Sequence, residues 1–421
     1  MNDQIRYRSA EAYHNTGQRR VLTTGCMVLF LLLTITKTFS QTQQKNEWIG
    51  TWGTARQLVE PNNMPPAPGL SNNTLRQVVC VSTGGKKLRL KFSNEFGNGV
   101  LSIKSVQIAT SKGEYLTDEN SAKALTFNGN PGIDIGQGEE IKSDPIKFEL
   151  KPRAEIAITI VFGTVPTALT GHPGSRTTSY LLNGEHISGD ADFATAVKTD
   201  HWYTITGIEV EKGTSTASVV VFGDSITDGR GSGTNKQNRW PDVLAISLQA
   251  KGNKKTGVLN MGIGGNAVLK GGLGPNGLKR FEHDVLKQAG VRWLIIFEGV
   301  NDLGGTRDSL AAFQVADGLI AAYDKMIADA HAQGIKVYGA TITPFGKSFY
   351  YRSYRDSARN KINEWIRTSG HFDAVIDFDK VLRDPQDTVA LLPAAQSGDY
   401  LHPNEAGYKL LGEAVDPALF K

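Results

Sequence analysis

The chain has almost no cysteine. Two occur in 421 residues, Cys26 and Cys80, and Cys26 lies in an N-terminal segment expected to be removed. A single remaining thiol cannot close an internal disulfide, so a disulfide-stapled scaffold is excluded. Cys80, inside RQVVCVS, reads as a small buried apolar residue. Charge of one sign is also missing. Lys and Arg number 46 against 42 Asp and Glu, a net charge of +4, and no basic cluster stands out. Nothing there argues for a nucleic-acid partner. No His or Cys cluster has metal-ligand spacing, and no internal repeat or low-complexity tract is present. What remains is ordinary for a soluble globular chain: 39% hydrophobic and 21% charged residues, with length enough for two domains.

The first forty residues stand apart. Arg19 and Arg20 precede VLTTGCMVLFLLLTIT, an apolar run about as long as a signal-peptide core, and Thr38 and Ser40 sit at minus three and minus one of a cut before Gln41. The expectation is a signal peptide over 1–40, a secreted or periplasmic protein, and no stable membrane insertion after cleavage. A membrane anchor is the alternative, since the run is near the lower limit for spanning.

Two rhythms follow. In the first, Leu88, Leu90 and Phe92 alternate with Lys87, Arg89 and Lys91, AEIAITIVFG has a similar character, and turns recur at STGG, FGNG, NGNPG and LNGE. This spacing predicts an all-β sandwich or jelly-roll domain over 47–212. EKGTST reads as a linker. From Ser218 the chain alternates short apolar strands with helical stretches: SVVVF, GVLNM, WLIIF, IKVYGATI and AVIDF, with helices around RWPDVLAISLQA, DGLIAAYDKMIADAHAQG and RDSARNKINEWIR. Five strands so joined predict an α/β domain over 218–421 with a doubly wound parallel sheet.

In such a sheet the ligand site lies beyond the carboxyl ends of the strands. The first strand is followed by Gly223, Asp224 and Ser225; the second by NMGIGGN, with Gly264, Gly265 and Asn266; the third by Gly299, Val300, Asn301 and Asp302. Beyond the fifth, after a loop, come Asp399, Tyr400, Leu401 and His402. A hydroxyl, glycine amides, a carboxamide and an Asp–His pair therefore converge on one rim, as acyl transfer requires.

These blocks resemble the SGNH (GDSL) hydrolases. GDSIT, NMGIGGN, GVND and DYLH match that family's four blocks in order, with Ile in place of the usual Leu in the first. The front half, including EWIGTWGTARQ, is similar to the β-domain of secreted members grouped with xylan acetylesterases. The resemblance implies a flavodoxin-like sheet of order 2-1-3-4-5 and esterase activity needing no metal or other cofactor. It implies Ser225 as nucleophile, His402 as base and Asp399 as its orienting partner. The amides of Ser225 and Gly265 and the side chain of Asn301 would be oxyanion donors. The expected substrate is an acylated carbohydrate, acetyl esters foremost. Two other readings stand beside it. One is a lipid or aryl-ester hydrolase of the same mechanism; the other is a noncatalytic carbohydrate-binding protein with a relic site.

GIGGNA also fits a dinucleotide fingerprint, but that leaves Ser225, Asn301 and His402 without a purpose. Asp224 and Asp228 read as turn residues rather than metal ligands, and Asp302 as a helix cap. Trp240 and Trp293 read as core, and His172, in GHPGS, as a loop residue.

Overall fold

The computed structural model describes residues 47–186, 193–213 and 216–421. The expected signal peptide lies outside the described residues. Asn46–Lys421 form one compact unit. No helix among the described residues is long and apolar enough to cross a membrane.

The N-terminal half is a β-rich domain of antiparallel sheets. One sheet joins β1 (Trp48–Gly53) to Ile205–Glu211, Gly85–Ser93 and Ile146–Leu150; another centres on Thr74–Cys80, Glu155–Phe162 and Leu101–Gly113. Leu88, Leu90 and Phe92 from the first sheet share a core with Val79, Ile108, Ile158 and Ile160 from the second. The strand alternation in the sequence produces that core directly. Lys91 departs from it. It is buried rather than wet, because its ammonium pairs with Glu140 at 3.1 Å. A small third sheet sets β2 (Thr170–His172) between Gln57–Leu58 and Trp202–Tyr203. Cys80 is buried as expected, and desolvation pushes its thiol up to about 12.

The C-terminal half carries the parallel sheet. Its strands are β3 (Ala217–Gly223), β4 (Thr256–Gly262), β5 (Val291–Phe297), β6 (Lys336–Ala340) and β7 (Ala374–Ile376). They lie in the order β4-β3-β5-β6-β7, all pairs parallel. This is the expected 2-1-3-4-5 order. Val220, Phe222, Leu294 and Ile296 face a core that includes Leu319, Tyr323 and Ile362. Their neighbours Val219, Val221, Trp293 and Ile295 face a second core containing Trp240, Leu244 and Tyr408. Continuous apolar strands thus serve two helical layers, and both tryptophans are core residues. AVIDF is a shorter strand than expected: it ends at Ile376, and Asp377 caps the following helix by accepting from Lys380 N. The helix expected around DGLIAAYDK starts earlier, at Ser309, where Asp308 accepts from Ala311 N.

The halves share a packed seam. Ser218 Oγ, at the start of β3, donates to Gly50 O of β1 at 3.0 Å. A Cβ on Gly50 would lie 2.7 Å from Leu259 of β4. Gln249 Nε2 donates to Ser82 O at 2.7 Å, and Arg153 pairs with Asp242 at 3.2 Å. The β-rich domain is therefore packed on the edge of the parallel sheet, and its loops reach the rim where the strands end.

Candidate active site

Ser225 is placed by the turn that ends β3. Asp224 is extended and accepts from Ile226 N, which starts α1 (Ser225–Asp228). Gly229 closes that single turn at φ 106°, a conformation suited to glycine. The hydroxyl is thereby carried to the rim, where Oγ lies 2.8 Å from His402 Nε2. His402 Nδ1 lies 2.6 Å from Asp399 Oδ2. The other carboxylate oxygen accepts from the backbone N–H groups of Leu401 and His402, at 3.0 and 2.9 Å. A carboxylate at Nδ1 fixes the tautomer that leaves Nε2 free to accept the serine proton. Burial raises the Asp399 carboxyl, but those amides and the imidazole outweigh it and leave it at about 2. His402 sits below its ordinary value. Burial is the larger cause, Asp399 opposes it, and the guanidiniums of Arg230 and Arg176 add to it.

The remaining predicted residues meet on the same rim. Gly265 adopts φ 70°, which presents its backbone without a side chain. Asn301 lies in α2 (Val300–Gly304), whose N-cap is Gly299 at φ 110°. Its Nδ2 donates to Asn266 O at 2.7 Å, which leaves one amide hydrogen unused. Tyr350 donates its hydroxyl to Asn301 Oδ1 at 2.9 Å. Tyr350 was not legible in the sequence, where it is one aromatic in the run FYYR. Asp302 is not the cap it was read as, since Gly299 holds that place. Its carboxylate accepts from Val268 N and Leu269 N, both at 2.9 Å, and clamps the loop after β4. The first helix after that loop begins at Gly277, so no helix N-terminus directly follows GIGGNA, as a dinucleotide site would need.

Arg280 underpins this rim and had no motif to announce it. Buried, it donates to Gly223 O and Met261 O, the ends of β3 and β4, at 2.9 and 2.7 Å, and to Asn266 Oδ1 at 2.9 Å. Asp284 and Glu298 compensate its charge, at 3.1 and 3.0 Å. From Asp284 the chain continues through His283 to Glu140 of the β-rich domain. Asp224 stands behind Ser225 with its carboxyl raised to about 7, chiefly by burial, with the Ile226 amide opposing.

His172 corrects its sequence reading. It lies in β2 rather than a loop and is buried. Its Nδ1 meets Ala55 O and its Nε2 meets Asp228 Oδ1, both at 2.8 Å. The β-rich domain thus grips the far end of the Ser225 turn through Asp228. A cavity of about 410 Å³ opens over Ser225 and His402. Gly265, Asn301 and Tyr350 line one side, and Gln57, Asn63, Arg176 and His201 of the β-rich domain line the other. Among the described residues, no group of three or more His, Cys, Asp or Glu side chains is placed to hold a metal ion.

Residues 221–410 match the GDSL-like Lipase/Acylhydrolase family, and the catalytic half is an SGNH-type ester hydrolase domain with that fold. A search of curated proteins found no match. Solved structures similar to this chain include the lipase/acylhydrolase from Enterococcus faecalis, at 24% identity over 47% of this chain and 93% of that one, with a TM-score of 0.37. A GDSL-like lipase from Bacteroides thetaiotaomicron is 20% identical over 48% and 87%, with a TM-score of 0.36. An acetyl xylan esterase is 22% identical over 47% and 96%, with a TM-score of 0.35.

Proposed function

We propose that this chain is an exported serine esterase that removes O-acyl groups, acetyl groups foremost, from polysaccharide. The observation that carries the reading is the hydrogen-bonded run from Ser225 Oγ through His402 to Asp399, at 2.8 and 2.6 Å, opening on the cavity. A serine hydroxyl is a weak nucleophile until a base removes its proton. His402 takes that proton as Oγ bonds to the ester carbonyl carbon, and Asp399 steadies the imidazolium. The carbonyl oxygen becomes an oxyanion beside the amides of Ser225 and Gly265 and the free Nδ2 hydrogen of Asn301. Each such donor is worth about 3 kcal/mol. The intermediate collapses and expels the alcohol, which leaves with the proton from His402. Water then repeats the sequence on the acyl-serine and releases the acid.

The polar wall of Gln57, Asn63 and His201 supports a hydroxylated substrate over an aliphatic one. A second reading has its own observation. Leu273 and Phe349 are exposed at the same cavity and form an apolar lip, which suits a lipid or aryl ester. Release of acetate from acetylated xylan, compared with release of fatty acid from a lysophospholipid, separates the two. Faster lipid hydrolysis would sink the polysaccharide reading, and no turnover of p-nitrophenyl acetate would sink both. Export rests on the Arg19–Ser40 segment, and a secreted chain beginning near Gln41 would support it.

A further inference from the structure

Two arginines stand in the cavity wall with hydrogen-bonding capacity the fold does not use. Arg230 follows the nucleophile turn directly. Its N–H donates to Ser225 O at 2.9 Å, and its carbonyl accepts from Tyr408 at 2.7 Å, so its backbone is fixed. Its exposed guanidinium forms no hydrogen bond or ion pair among the described residues. Arg176 enters from the β-rich domain, its carbonyl held by Asn235 N at 2.9 Å. Its Nε is buried without a partner, and its Nη2 is 3.6 Å from Asp228 Oδ2, the outer range of an ion pair. Asp228 is already held by His172, and Asp399 by His402. Glu60, also on the cavity wall, has its two oxygens taken by the amides of Gln57 and Asn63, at 2.6 and 3.0 Å. The charged side chains of the wall balance formally, Arg176 and Arg230 against Glu60 and Asp228, but among the described residues the Arg230 guanidinium is left without an ion-pair partner, in a form suited to a planar monoanion.

The side of the site matters as much as the charge. Arg230 stands beside the His402 loop, since a Cβ on the next residue, Gly231, would collide with Pro403 O, whereas Gly265 and Asn301 would carry the oxyanion donors. His402 delivers its proton to the leaving alcohol. An anion reaching Arg176 and Arg230 is therefore carried by the alcohol part of the ester.

We propose that the cavity selects esters whose alcohol part bears a carboxylate, in practice acylated uronate units of an acidic polysaccharide, held by Arg230 and Arg176. This rests on the esterase reading above and narrows its substrate class. A uronate is favoured over a phospholipid headgroup because the amides of Gln57 and Asn63 and the imidazole of His201 stand on the same wall, where sugar hydroxyls can meet them.

The test compares kcat/KM on acetylated trigalacturonate, acetylated xylotriose, a lysophospholipid and p-nitrophenyl acetate, for wild type, Arg230→Gln and Arg230→Lys. The expected result is a wild-type preference for the uronate ester over the neutral sugar ester. Arg230→Gln should lower that ratio roughly tenfold, mainly through KM, as loss of a charge-assisted hydrogen bond does. Arg230→Lys should restore part of it, and salt near about 0.5 M should narrow it. An unchanged ratio in Arg230→Gln, with p-nitrophenyl acetate still hydrolysed, overturns the inference and leaves the esterase reading standing. A larger Arg230 effect on the lysophospholipid than on the uronate overturns it in favour of a lipid anion. No hydrolysis of p-nitrophenyl acetate by wild type ends the esterase reading and this inference with it. Arg230 is exposed, so its replacement does not threaten the fold.

Discussion

Two Asp–His pairs flank the Ser225 turn, and they differ in what their rings leave free. In the pair Asp399–His402, on the C-terminal loop, the carboxylate takes Nδ1 and the serine hydroxyl meets Nε2. In the pair Asp228–His172, Nε2 goes to the carboxylate and Nδ1 to Ala55 O. The first ring can still move a proton; the second has spent both nitrogens on tying the β-rich domain to the turn. The pairs also differ in how the chain builds them. Asp399 and His402 are three residues apart, within one turn of backbone, so the pairing survives in the sequence as DYLH. Asp228 and His172 come from different halves and meet only because β2 packs against α1. The same two residue types therefore announce chemistry in one place and architecture in the other.

The largest expected effect breaks the first pair. Under the proposed mechanism His402→Ala removes the base and should lower kcat on an acetyl ester by about 10⁴- to 10⁶-fold, the range for losing a member of a serine triad, with a melting temperature near wild type. Retained turnover above that range would remove His402 from the mechanism. Asp399→Asn keeps the base but takes away its charge partner, and should cost about 10²- to 10⁴-fold. The sign of its pH effect follows from the electrostatics. Burial holds His402 below 6.5 and Asp399 partly restores it. The wild-type profile of kcat/KM should therefore rise with pH through a midpoint below 6.5, as the imidazole loses its proton, and then level off. In Asp399→Asn that rise should move to still lower pH. Coincident profiles would make Asp399 a loop residue.

Breaking the second pair should cost stability rather than chemistry. His172→Ala leaves a buried carboxylate short of its donor and Ala55 O without a partner, at about 1–3 kcal/mol for each unsatisfied group. Denaturant unfolding should show that loss. The pH midpoint of the surviving activity should stay where it was, since His172 donates no proton to the reaction. A shifted midpoint would mean that the two pairs are electrostatically coupled through the turn.

What was legible follows the same division. The parallel sheet was readable because each strand is a continuous apolar run, and the order 2-1-3-4-5 came with the resemblance. That Ser225, Gly265, Asn301, Asp399 and His402 meet on one rim was readable because each sits within a few residues of a strand end or of a partner. Arg280, Tyr350 and His172 were not, since each acts across folded distance and its neighbours carry no pattern. Asp302 misled for a related reason. An acid at the start of a helix is a common cap, and only the folded loop shows its carboxylate turned to Val268 and Leu269. The β-rich domain was legible as strands, but the residues by which it lines the cavity were not, because the loops that carry them, around Asn63, Arg176 and His201, obey no periodicity.

Tyr350 offers the smallest and most specific test of how the halves of the oxyanion corner are held. Its hydroxyl donates to Asn301 Oδ1 at 2.9 Å while Asn301 Nδ2 donates to Asn266 O. Together these contacts fix which end of the carboxamide is the donor. Tyr350→Phe keeps the ring against Phe349, whose centroid is 4.4 Å away, and removes only the hydroxyl. Asn301 then loses one of its two anchors but not its place on α2. Under the proposed mechanism the donor is needed when charge develops on the oxygen, so the loss should fall on kcat. A factor of about 5 to 10 is expected, as for one neutral hydrogen bond, with KM and melting temperature nearly unchanged. Asn301→Ala, which removes the donor, should cost more, about 10²- to 10³-fold. In the double variant the Tyr350→Phe effect should vanish, because there is no carboxamide left to orient. If instead Tyr350→Phe raises KM and leaves kcat alone, Tyr350 contacts the substrate directly. If the two losses multiply, Tyr350 acts by a route that does not pass through Asn301.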